Sequence, residues 1–103
     1  MLFMLIMTAP QNKAIEIGKA FLKVVEKPPP PYLKSRGVYL TYGDGGHKWY
    51  NIVEIDDKHV SEGMTELTRR LVPFDDIEGL QTRIEILVSV RTAIGLAMEM
   101  GRM

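Results

Sequence analysis

The sequence contains no cysteine. That absence excludes disulfide staples, thiol nucleophiles and the cysteine-ligated zinc and iron–sulfur sites. It also fits a reducing compartment, and a cytoplasmic location is expected. An excess of either charge is missing too, because 13 Lys and Arg balance 13 Asp and Glu. No net field would draw the chain to a nucleic acid or an anionic membrane, and neither is expected as a partner. Histidine is scarce. His47 and His59 are the only two, and neither stands in a His-x-x-x-His or His-Glu spacing, so no metal is expected. Long apolar runs are lacking as well. The run from Met1 to Met7 falls far short of the roughly 20 residues that span a bilayer. It has no basic flank of the kind a secretion signal carries, and it reads as a buried strand.

What is present is a regular alternation of apolar patterns. A chain of 103 residues buries roughly two-thirds of its unfolded surface, enough for one core, and a single domain over 1–103 is expected. The first strand, over 2–7, is apolar without alternation, as a strand covered on both faces should be. Thr8 offers a cap and Pro10 a first turn for a helix over 10–26. Ala14, Ile17, Phe21 and Val24 make its stripe, widened by Ile15, Leu22 and Val25. Pro28 to Pro31 stop that helix. They read first as a stiff extended spacer, with a pocket rim or a ligand for a proline-recognising domain as alternatives. A second helix, over 58–72, starts at Asp56 or Asp57 and carries the stripe Val60, Met64, Leu67 and Leu71. Glu66 precedes Arg69 and Arg70 by three and four positions and supports an exposed helical face. Beyond Pro73, a strand over 80–90 is long enough to invite a bulge. The last segment, 92–100, is helical and apolar on nearly every side, so it needs cover from more than one direction.

Between the strands expected over 36–42 and 47–55 lies Gly43-Asp44-Gly45-Gly46. Asp-Gly at the centre of a two-residue loop signals a type I′ hairpin, and nothing follows it that would make a phosphate loop. The turn sets the register, with Tyr42 opposite His47, Leu40 opposite Trp49, Tyr39 opposite Tyr50 and Val38 opposite Asn51. Opposed residues share a face. One face then holds Val38, Leu40, Tyr42, His47, Trp49, Asn51, Val53 and Ile55, and should lie against the helices. The other holds Tyr39, Thr41, Lys48, Tyr50, Ile52 and Glu54.

The order strand, helix, strand, strand, helix, strand, helix gives an α+β, ferredoxin-like βαββαβ plan. It has a four-stranded antiparallel sheet, both main helices on one face and an added C-terminal helix. The second sheet face stays bare in such a plan, yet the first strand is apolar on both sides. A large exposed apolar patch is rare on a monomer, so a second copy of the chain is the expected cover. In element order and face pattern the chain resembles the dimeric α+β barrel superfamily. Within it, Pro28-Pro29-Pro30-Pro31-Tyr32-Leu33 and Trp49-Tyr50-Asn51-Ile52-Val53-Glu54-Ile55-Asp56-Asp57 are similar to stretches of small bacterial and archaeal members. The resemblance implies two ferredoxin-like protomers packed sheet to sheet. The group spans cofactor-independent monooxygenases, small isomerases, lyase-like enzymes and ligand-sensing modules, so no cofactor is expected and the fold alone names no reaction.

The mixed sheet face is the expected ligand site, with Tyr39, Tyr50, Glu54, Arg83 and Glu85 among apolar neighbours. Tyrosine hydroxyls would donate hydrogen bonds, Arg83 would hold an anion, and Glu54 or Glu85 would act as a base if burial raised its pKa. The competing reading is that Arg83 and Glu85 pair with each other or with a partner protomer. Trp49 and Asn51 also draw notice, because some monooxygenases of the resembled group use Trp and Asn in their pocket. The register puts both on the helix face, which favours Trp49 as a core aromatic. His47, His59, Asp56-Asp57 and Asp75-Asp76 read as surface, capping and turn residues. Two functions follow as expectations. One is a homodimer that binds or transforms a small molecule between its two sheets. The other is an assembly or regulatory module that self-associates through the sheet face and terminal helix.

Overall fold

The computed structural model describes residues 1–43 and 45–101. Four strands, β1 (Leu2–Pro10), β2 (Leu33–Gly43), β3 (Gly46–Ile55) and β4 (Gln81–Leu87), form one antiparallel sheet in the order β2-β3-β1-β4. Helices α1 (Ala14–Val25) and α2 (Val60–Leu71) provide the two crossovers, and α3 (Val90–Glu99) follows β4. This is the ferredoxin-like βαββαβ arrangement with a C-terminal helix. Among the described residues no helix is long and apolar enough to cross a membrane.

The hairpin register is the expected one. Tyr42 pairs with His47, Leu40 with Trp49, Tyr39 with Tyr50 and Val38 with Asn51. Gly43 and Gly46 close a two-residue loop, though the type I′ turn expected there falls on Asp44, outside the described residues. Gly46 adopts φ +137°, and a Cβ on it would sit 2.3 Å from the Ala9 carbonyl oxygen. Glycine is therefore required where the hairpin passes β1.

That close approach explains the first departure from the sequence reading. β1 does not stop at Met7 for a cap at Thr8. It runs to Pro10, which is extended at φ −58°, ψ 150° and pairs with Gly46. Proline has no N–H to donate and is tolerated at the end of a strand. A 3₁₀ turn over Gln11–Lys13 then leads into α1. The bulge also lies elsewhere than expected. β4 ends at Leu87 without one, whereas β2 shifts register between Ser35 and Gly37. Arg36 is the extra residue, and its guanidinium Nε donates to Glu54 Oε2 at 2.6 Å.

The core lies between the sheet and α1 and α2. Alternate residues of β1, namely Phe3, Leu5, Met7 and Ala9, are buried there. Trp49, Val53 and Ile55 of β3 join them, so on β3 the face assigned to the helices is the covered one, whereas Val38, Leu40 and Tyr42 of β2 on the same face remain exposed. Leu67 of α2 is buried, and Val60, Met64 and Leu71 pack beside it. Gly63 is buried too, and a Cβ there would meet Ile55 Cγ2 at 2.4 Å. On α1 the stripe is narrower than expected. Ala20 is buried with Ile17 and Val24 alongside, while Ala14 and Phe21 of the expected stripe and Ile15, Leu22 and Val25 beside it are exposed. The other sheet face carries Leu2, Met4, Ile6 and Thr8 of β1, none of them fully buried, and neither α1 nor α2 covers it.

Helix α3 differs from the rest. Ser89 caps it, its Oγ accepting from Thr92 N–H at 3.1 Å. Every described residue from Val90 to Gly101 is exposed except Ala97, which is half-buried. The molecule is correspondingly elongated, 50 × 34 × 19 Å with a radius of gyration of 16.0 Å. A compact chain of this length would have about 13 Å.

Candidate functional site

The sheet brings the five expected site residues to one face and spreads them along it. Tyr39, Tyr50, Ile6 and Arg83 form one row across the four strands. Ile52, Met4 and Glu85 form the next, and Glu54 lies beside Leu2 beyond that. Tyr39 and Tyr50 are neighbours, but Arg83 stands three strand spacings from Tyr39, about 14 Å. Both carboxylates are engaged on the face itself. Arg83 Nε lies 3.2 Å from Glu85 Oε2, and Glu54 is held by Arg36. Lys48 Nζ sits 5.3 Å from the centre of the Tyr50 ring. Arg83 is 74% exposed. In a single chain this face is an open surface with apolar residues down its middle and ion pairs at both margins.

A half-open apolar space lies on the opposite face. A cavity of about 250 Å³ separates α1 and α2 from the sheet. Leu5 and Val53 form its floor, Phe21 and Leu71 its helical walls, Trp49 one end, and Pro29 part of its edge. Pro29 at the edge fits the pocket-rim alternative for the proline run. The polar groups lining it are few. Ser35 Oγ donates to Asn51 Oδ1 at 2.7 Å. That bond orients the Asn51 amide, and among the described residues nothing accepts from its N–H groups. Arg70 donates through Nη2 to the carbonyls of Lys27 at 2.7 Å and Val24 at 3.2 Å, and lies 3.7 Å from Glu66. It bonds one carbonyl in the last turn of α1 and one just beyond the helix, and so ties the residue before the proline run to α2. Among the described residues no Asp, Glu or His lines the cavity. It is equipped to hold an apolar molecule and hydrogen-bond one polar atom, and those residues supply no carboxylate or imidazole for proton transfer.

A second, more open apolar groove of about 380 Å³ adjoins it. The two share Phe21, Val38 and Trp49, and the groove continues along β2 past Leu40 and Tyr42. His47 ends the groove, its Nε2 3.2 Å from the Gln11 carbonyl oxygen. His59 is half-buried rather than on the surface. Its ring stacks on Tyr32 at 4.9 Å, and among the described residues its Nδ1 is buried without a partner. No three acidic or histidine side chains converge as metal ligands among the described residues.

Sequence reasoning placed Trp49 and Asn51 on the helix face, where they are found, and discounted them as site residues for that reason. The structure puts a cavity on that very face. Ser35 gave no signal in the sequence, and Arg70, expected with Glu66 on an exposed helical face, is half-buried with Glu66. Ser35 meets Asn51 because of the β2–β3 register, and Arg70 reaches a helix end more than 40 positions earlier. No protein-family model, no curated protein and no solved structure matches the chain.

Proposed function

We propose that the protein binds a small, largely apolar molecule in the cavity between its helices and its sheet, with Asn51 hydrogen-bonding one oxygen of the guest. The observation that carries this reading is the 250 Å³ apolar space with the Ser35–Asn51 pair on its wall. Apolar surroundings supply affinity, and the Asn51 amide, oriented by Ser35, supplies orientation. The resemblance to the dimeric α+β barrel superfamily agrees with it, since the pair Trp49 and Asn51 lies here. The proposed site is thus on the helix side, away from Tyr39, Tyr50, Glu54, Arg83 and Glu85. Trp49 is the only tryptophan, so its fluorescence reports on the cavity. Titration with 2-naphthol should change that fluorescence saturably, and Asn51→Leu should weaken binding about tenfold, the loss of one hydrogen bond. A linear response to the probe, with no small molecule co-purifying in native mass spectrometry, would overturn the reading.

A second reading is self-association, and a separate observation favours it. The chain exposes 7530 Å², whereas a compact monomer of its mass exposes about 5,900 Å². On this reading a second copy covers the sheet face that carries Leu2, Met4 and Ile6. Sedimentation equilibrium at micromolar concentration should give at least twice the chain mass of 11.7 kDa. A clean monomer would remove this reading and leave the cavity untouched.

A further inference from the structure

We infer that α3 is an exchanged arm, and that the α3 of a second copy occupies the apolar groove between α1 and β2. The inference rests on self-association and adds, to the sheet-face contact of that reading, a second contact on the helix side of the sheet in which a named segment fits a named surface.

Helix α3 has ten residues, below the roughly 12 that an isolated helix needs to persist in water. Its Val90, Ile94, Leu96 and Met98 are all exposed. Such a helix is stable only when docked. The groove is the complementary vacancy on the body. Phe21, Val38, Leu40 and Tyr42 line it and are 44% to 73% exposed. One wall is low, because Ala14 and Gly18 stand there and a Cβ on Gly18 would meet nothing within 4 Å. Ala93 and Ala97 make one side of α3 equally low. Small residues on both helices permit an interaxial distance near the short end of the usual 8–10 Å.

The arm cannot fill its own groove. β4 and β2 are the opposite edges of the sheet, three strand spacings or about 14 Å apart. Only Val88 and Ser89 separate β4 from α3, so from Leu87 to Val90 the link spans at most about 11 Å. Helices α1 and α2 stand between on that side. The occupant therefore comes from another copy. The area agrees. The surplus surface is about 1,600 Å² per chain, or about 3,200 Å² over two, within the range of obligate homodimers. Arm and groove lie on opposite edges, so a two-fold dimer closes only if both arms exchange, and a one-way exchange would propagate as a chain of copies.

Because the protein has no cysteine, single introduced thiols report the contact cleanly. Full-length Leu40→Cys and Leu96→Cys chains, each exposed at the altered position, are mixed, oxidised gently and separated without reductant, with sedimentation equilibrium run in parallel. The expected result is that about half of the chains, the share that random mixing places in mixed dimers, shift from 11.7 kDa to a disulfide-linked pair containing one chain of each variant, and that neither variant alone does so. The pair Tyr42→Cys and Ile94→Cys, also exposed, repeats the test if one variant folds poorly. A dimer in sedimentation with no linked pair overturns the exchange and leaves self-association standing. A monomer overturns both, and a disulfide closing within a single chain that carries both substitutions overturns the requirement for a second copy.

Discussion

Along β1, neighbouring residues of nearly equal hydrophobicity meet opposite surroundings. Phe3, Leu5 and Met7 are 3% to 6% exposed beneath the helices, while Leu2, Met4 and Ile6 on the other side remain in reach of solvent. On the first face the chain completes its own core. On the second it presents an equally apolar row that neither α1 nor α2 covers. Hydrophobicity along a strand therefore reports that a face is to be covered, not which molecule covers it. The two faces should respond differently to substitution, one through folding and the other through association.

The sharpest contrast is Ile55→Ala. Ile55 has no exposed surface, and truncating it should cost about 2–5 kcal/mol, read as a lower urea midpoint with an unchanged slope. Gly63→Ala comes next. The added methyl would press on Ile55, and overpacking of this kind costs about 1–3 kcal/mol; a midpoint equal to the parent's would mean α2 rides further from β3 than described. Ile6→Glu, on the open face, should lower the midpoint of the dissociated chain by only about 1 kcal/mol. Its main effect should be the loss of dimer in sedimentation, and a full-strength dimer would put the contact elsewhere. Arg83→Ala should do least, within about 0.5 kcal/mol, because exposed ion pairs such as Arg83–Glu85 contribute little. A larger loss would show that this pair is sequestered in an assembly.

The features legible in the sequence are those set by local chemistry. The glycines at 43, 45 and 46 place a short loop, and from it follow the register and the separation of Trp49 and Tyr50 onto opposite faces. The spacing of Val60, Met64, Leu67 and Leu71 places α2 against the core. The features that escaped depend on residues far apart in the chain. Pro10 remains in a strand because Gly46 gives it room. The bulge falls beside Gly37, whose φ of +145° marks the irregularity, and the displaced Arg36 side chain meets Glu54 one strand away. The cavity arises from the gap that Phe21 and Leu71 leave above Leu5 and Val53, and no single segment encodes that gap. Helicity of the last segment was legible and its need for cover was too, but its own body leaves it exposed.

Four consecutive prolines, Pro28 to Pro31, give the edge of the cavity an unusual chemical polarity. Proline keeps its carbonyl and has no amide hydrogen. A guest passing Pro29 meets backbone acceptors and no backbone donor until Tyr32, and the Leu33 N–H beyond it is already given to the Pro30 carbonyl at 3.0 Å. The prolines thus offer a guest acceptors only, and the hydrogen-bond donors on this side of the cavity come from Arg70, whose Nη2 already reaches the Lys27 carbonyl. The proline stretch is dark in amide-detected NMR, so its opening would be followed through the Tyr32 and Leu33 amide resonances at its far end.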